Sequence, residues 1–172
     1  ESHMVENPKK VKTQKTLSPA QQKEALPFLK ATNLVELLNL KLAQTGIVGE
    51  ENNRLFLLLI ALSHITEKPL HALVQGSSGS GKTRLLKQIT ACMPSERVLV
   101  FTRLSEKVLY NFPENYLTNK LIAIEDADGM GEDAEYAFRE LQSGGELRSA
   151  VSIKHQNGQI DAGERIVKGP VA

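Results

Sequence analysis

The run Leu73-Val74-Gln75-Gly76-Ser77-Ser78-Gly79-Ser80-Gly81-Lys82-Thr83 leaves this chain few ways to fold. Gly76, Gly81, Lys82 and Thr83 occupy the defining positions of G-x-x-x-x-G-K-[ST], a glycine turn that wraps backbone N–H groups around an anion. Such a turn works between a strand and a helix whose N-terminus faces the same anion. Both flanks are written in the sequence. Residues 71–75 form a short apolar, strand-like run. Residues 84–93 have helical spacing, with Leu85, Leu86, Ile89 and Met93 on one side. A flexible glycine–serine linker shares the composition, but it has no use for Lys-Thr at that offset or for apolar flanks. In such a loop Lys82 reaches the β- and γ-phosphates and the Thr83 hydroxyl ligates Mg²⁺. Ser77, Ser78, Gly79, Ser80 and Arg84 complete the candidate nucleotide contacts.

Around this centre the chain alternates apolar strands with helices. Ser18-Pro19 starts a helix that ends near Pro27 or continues, kinked, to Lys30. Asn33-Leu34-Val35-Glu36 reads as a capping box for a helix that stops before Gly46. Residues 51–66 are apolar nearly all round, which predicts a helix packed on several sides. Residues 97–102 and 121–124 read as the second and third strands, with a short helix over 104–110 between them. The third is apolar throughout, as a strand buried on both faces of a parallel sheet is. The expected fold is α/β, a three-layer P-loop NTPase sheet with a helical lead-in over 19–68 and the nucleotide core over 69–172.

Composition narrows the setting. The 172 residues carry a net charge of +1, so no global field marks a nucleic-acid binder, though a basic surface confined to a pore would not show in that sum. The single cysteine, Cys92, excludes an intrachain disulfide and fits a reducing cytoplasm; on the apolar helix it reads as a small core residue. No run is long enough to span a bilayer. Glu1-Ser2-His3-Met4 looks like the remnant of a cleaved expression tag, and the arm from residue 5 to about 18, with Lys9, Lys10, Lys12 and Lys15, reads as a solvated basic segment.

A second group of residues completes the chemistry. The third strand runs straight into Glu125-Asp126-Ala127-Asp128. At the carboxyl end of a strand beside a phosphate loop, one acid holds the Mg²⁺ shell and the next polarises water. Glu125 takes the metal position and Asp126 the base position, with Asp128 in reserve. An acidic surface turn would read the same in isolation. After it come a helix from Asp133 to about Leu141, closed by Gly144-Gly145, and two extended arms near 149–167 flanking Lys154-His155-Gln156-Asn157-Gly158-Gln159. Asn-Gly is a strong hairpin signal.

These features together resemble a known family. The order Ile124-Glu125-Asp126-Ala127-Asp128, Leu141-Gln142-Ser143-Gly144-Gly145-Glu146-Leu147, Ser152-Ile153-Lys154 and Gly169-Pro170-Val171 is similar to the AAA+ motor of minichromosome-maintenance helicases. It is closer still to the helicase-like ATPase modules joined to bacterial and mobile-element DNA primases of the zinc-finger and Toprim type. The family's usual order of acids is Asp then Glu, inverted here. The resemblance implies ATP and Mg²⁺ as cofactors and a helicase or translocase role in replication or priming. Its implied partners are single-stranded DNA, a homo-hexameric ring and a primase in cis. Lys154, with His155, falls where such motors contact DNA in the pore. It also implies that the sheet is incomplete at Ala172, with the sensor, arginine finger and lid beyond it, and hence weak turnover by this stretch alone. A non-catalytic loader and a small-molecule kinase are the alternatives.

Overall fold

The computed structural model describes residues 16–172 apart from Glu106, Asp128, residues 155–157 and Gln159, with Ile153 and Lys154 described by backbone alone. Most of the basic arm lies outside the described residues.

Three helices lead in: α1 Pro19–Leu29, α2 Leu34–Gln44 and α3 Glu51–Leu62, the last followed by a 3-10 turn at Ser63–Ile65. Ser18 caps α1 reciprocally. Its Oγ accepts from the Gln21 N–H at 3.3 Å and its own N–H donates to Gln21 Oε1 at 2.9 Å. Pro27 sits in the last turn and the helix still reaches Leu29. The capping box read at Asn33 does not form. Asn33 has φ −104° and ψ 35°, outside the extended region from which a side chain reaches back to cap.

The expectation that residues 51–66 pack on several sides is corrected. Arg54, Leu58, Ile60 and Ala61 are buried, while Phe56 and Leu59 stay 60% and 58% exposed. Helices α2 and α4 (Lys82–Ala91) pack on the buried side. Arg54 fastens that side: its Nε donates to Asn39 Oδ1, and its Nη1 to the Ile47 carbonyl at 2.5 Å. A guanidinium this deep is tolerable only with such partners.

Strands β1 (Val98–Phe101) and β2 (Leu121–Ile124) pair in parallel, Val98 opposite Leu121 and Phe101 opposite Ile124. On the other edge of β2 the chain returns: Ile122 N–H donates to Ala172 O at 2.9 Å and Ala172 N–H to Lys120 O at 3.0 Å. Successive strand residues point to opposite faces, and the packing obeys this. Ile122 and Val171 join a core with Leu109, Leu117, Ala137 and Leu141; Leu121 and Ala172 join another with Leu42, Leu58, Ala61 and Ile89. The sheet thus lies between two helical layers, α2–α4 on one face and α5 (Glu132–Gly144) on the other. Gly145, at φ 75°, ends α5 and turns the chain into the antiparallel hairpin β3 (Glu146–Lys154) and β4 (Ile160–Lys168).

Three more expectations need correction. Residues 71–75 form no strand: a ladder needs a neighbour within about 4.8 Å, and a cavity separates this run from β2. Its tie to the sheet is His71 Nε2, which donates to Val171 O at 3.0 Å. The helix read over 104–110 shrinks to a 3-10 turn at Leu109–Asn111. Cys92 is exposed, not core; it lies at the cap of α4, where Sγ donates to Gln88 O at 3.3 Å.

Candidate nucleotide site

The phosphate loop is shaped by its glycines and closed by its lysine. Gly79 and Gly81 take φ of 79° and 89°, a region costly for any residue with a Cβ. Gly81 is thereby the N-cap of α4, which opens at Lys82, so the free N–H groups of the first turn point back over the loop. Lys82 Nζ donates to the carbonyls of Gly76 at 2.7 Å and Ser77 at 2.8 Å. The ammonium is folded over its own loop, at the place where phosphate oxygens would replace those carbonyls.

The acids reach the same place through the register of the sheet. Beyond the strands the ladder continues, Glu125 N–H to Phe101 O and Asp126 N–H to Thr102 O, each 3.0 Å. This brings Arg103 alongside Asp126, and Arg103 Nη2 lies 3.0 Å from Asp126 Oδ2. The Gly129 N–H donates to Oδ1 of the same carboxylate at 3.2 Å. A Cβ on Gly129 would press on the Arg103 guanidinium and on Asp126 Oδ2, so a larger residue here makes those side chains shift. Glu125 is 20% exposed and pairs with Lys87 of α4, Nζ to Oε1 3.1 Å.

One cavity of about 1080 Å³ joins the two groups. Residues 71–76, Ser78, Lys82 and Thr83 line it together with residues 122–127, and Phe138, Arg139 and Gln142 of α5 border it. Among the described residues no group of three or more His, Cys, Asp or Glu could hold a metal ion. Mg²⁺ takes one or two protein oxygens and the rest from phosphate and water. Thr83 and Glu125, the residues the sequence proposed for that ion, both line the cavity. The cavity, the lysine and the exposed loop amides suit a triphosphate.

A family model described as the MTBMA_p00010 P-loop domain matches residues 17–157. The chain belongs to that family. As an MTBMA_p00010 P-loop domain it is α/β with a partial parallel sheet, and the family places it among nucleotide-binding folds, whose members generally bind their nucleotide with Mg²⁺. The match takes in the loop, both acids, α5 and β3. Comparison with curated proteins gives no match.

Within this P-loop domain the sequence-derived candidates divide. Gly76, Ser78, Lys82, Thr83, Glu125 and Asp126 line the cavity; Ser77, Gly79, Ser80 and Gly81 build the turn behind it. Arg84 turns elsewhere, with its guanidinium beside Gly46 between α2 and α3. Lys154 closes β3, but its side chain, all of His155 and all of Asp128 lie outside the described residues. Sequence reasoning missed Lys87, Arg103 and Gly129. Lys87 was within reach of it, standing four residues after Thr83 and so on the same helix face. No described helix is long and apolar enough to cross a membrane.

Proposed function

We propose that this domain binds and hydrolyses ATP as the motor of a DNA helicase or translocase serving replication or priming. One observation carries the nucleotide half: Lys82, Thr83, Glu125 and Asp126 converge on a single cavity although the acids and the loop are some forty residues apart in sequence. Lys82 exchanges its loop carbonyls for β- and γ-phosphate oxygens. Thr83 and Glu125 hold Mg²⁺, which when bound neutralises charge developing on those oxygens. Asp126 orients the attacking water and takes its proton, and Arg103 with Gly129 keeps that carboxylate pointed. The DNA half rests on the family resemblance and on a hairpin of two nine-residue strands that ends in Lys154. On this reading subunits assemble into a ring and Lys154 grips single-stranded DNA in its pore, with a primase domain in cis.

Calorimetric titration of ATP with Mg²⁺ tests the first half. Lys82→Ala should lower affinity at least tenfold, since it removes the cation that meets the phosphates; equal affinity refutes the site. Fluorescence anisotropy with labelled single-stranded DNA tests the second. Lys154→Ala should weaken binding and flatten the dependence of log K on log salt by about 0.7, the value of one phosphate contact. Equal slopes refute the DNA contact. A second reading, a nucleotide-gated loader without turnover, draws on the fact that both acids already hold cations. Asp126→Asn separates the two, because a motor loses hydrolysis and a loader keeps its function.

A further inference from the structure

Glu125 and Asp126 are sequence neighbours, yet they are held in different ways. Asp126 is held at both oxygens, by Arg103 at 3.0 Å and by the Gly129 N–H at 3.2 Å, with the Arg103 guanidinium packed close over Gly129. The planar guanidinium fixes orientation as well as charge. Glu125 is held instead by an ammonium at the end of a flexible stem, 3.1 Å from one oxygen. Among the described residues Lys87 is the cation paired with Glu125. Lys87 is 60% exposed while Glu125 is 20% exposed, so the lysine regains water as soon as it lets go. A partner of this kind is easily given up.

Resting on the nucleotide reading above, we propose that Lys87 is an exchangeable counter-cation at the metal-binding carboxylate. It neutralises Glu125 while no divalent ion is bound, yields that carboxylate to Mg²⁺ on loading, and so sets the Mg²⁺ concentration at which the nucleotide site fills. Glu125 sits at the inner wall of a cavity that it shares with Lys82 and Thr83, and a carboxylate already paired with a cation attracts a second one less strongly. Removing the Lys87 charge therefore strengthens Mg²⁺ binding. For a half-exposed pair the gain is roughly two- to fivefold in affinity.

The test titrates Mg²⁺ into the full chain with a fluorescent ATP analogue and follows anisotropy. The proteins compared are the parent, Lys87→Met, Lys87→Arg, Lys82→Ala and, as a surface control on α1, Lys23→Met. Lys87→Met should lower the Mg²⁺ midpoint about two- to fivefold and leave binding in EDTA unchanged. Lys23→Met should titrate with the parent, and Lys87→Arg, which keeps the charge, should not lower the midpoint. The Lys87→Met difference should shrink in 1 M salt, where screening acts within about 3 Å. A midpoint that stays put or rises in Lys87→Met overturns the proposal, as does an equal shift in Lys23→Met. A parent that binds the analogue no better than Lys82→Ala at any Mg²⁺ concentration refutes the nucleotide reading and this proposal with it. Lys82-dependent binding with a midpoint indifferent to Lys87 removes only the counter-cation.

Discussion

Replacing Gly129 by alanine measures how tightly the Asp126 carboxylate is held. The new methyl would stand 2.3 Å from Arg103 Nη2, 2.5 Å from Arg103 Nε and 2.5 Å from Asp126 Oδ2, far inside the usual contact distance of about 3.5 Å. None of these atoms belongs to the backbone, so the side chains move and the fold survives. Arg103 is 62% exposed and has an open way out. What is lost is a solvent-screened ion pair, about 0.5–1 kcal/mol, and the Gly129 N–H bond to Oδ1, about 1 kcal/mol. Gly129 is not among the positive-φ glycines, so alanine recovers about 0.4–1 kcal/mol by restricting the unfolded chain. The net is a destabilisation of about 0.5–1.5 kcal/mol, or roughly 1–6 °C in Tm for a domain of this size. Calorimetric melts of the parent, Gly129→Ala, Arg103→Met and the double variant check it. In the Arg103→Met background two of the three clashes and the ion pair are already gone, so the alanine should cost less than half as much there. An additive cycle, or a Gly129→Ala protein that melts with the parent, refutes the clamp.

Two further outcomes follow from other parts of the chain. Arg54→Met keeps the apolar stem but leaves Asn39 Oδ1 and the Ile47 carbonyl without their donor; it should cost about 2–4 kcal/mol, and an unchanged urea midpoint would contradict the role given to that guanidinium. At the base of the hairpin, the hydrogen bond from Arg148 holds the Glu146 carboxyl below its ordinary range. Its contribution is therefore complete above the ordinary glutamate range and lost as pH falls through the lowered value. The small Tm gap between the parent and Glu146→Gln should be open at neutral pH and close in acid, once the pH has fallen through the lowered value; a gap that persists when the carboxyl is fully protonated would exclude that pairing.

The parts of the site legible in the sequence are those whose chemistry is local. The glycine turn needs left-handed backbone at Gly79 and Gly81, and glycine is how a sequence writes that. The four apolar residues of β2 followed by Glu125-Asp126 mark a buried strand emerging at a polar edge, and three of the four are buried. The failures have a different origin. Residues 71–75 have the composition of a strand, but strand character depends on a neighbour's hydrogen bonds, and β2 spends its free edge on Ala172. The all-apolar pattern of α3 says which residues tolerate burial without saying which find cover, so Phe56 stays outside.

The cations were hidden for a related reason. Nothing near Arg103 in sequence distinguishes it from the other arginines, and the spacing of Lys87 from Thr83 gives its helix face without its partner, because a charge acquires its role from what stands across the gap. Once the register is known, both become derivable. Phe101 opposite Ile124 sets Arg103 beside Asp126 two residues past the strand ends. The same register carries Glu125 to the edge of the sheet, where α4 presents Lys87 one turn beyond Thr83. The loop and the acids are thus two local motifs, and the parallel pairing of β1 with β2 decides which cations meet them. A one-residue slip of that pairing would move Arg103 away from Asp126 while leaving both motifs intact in the sequence.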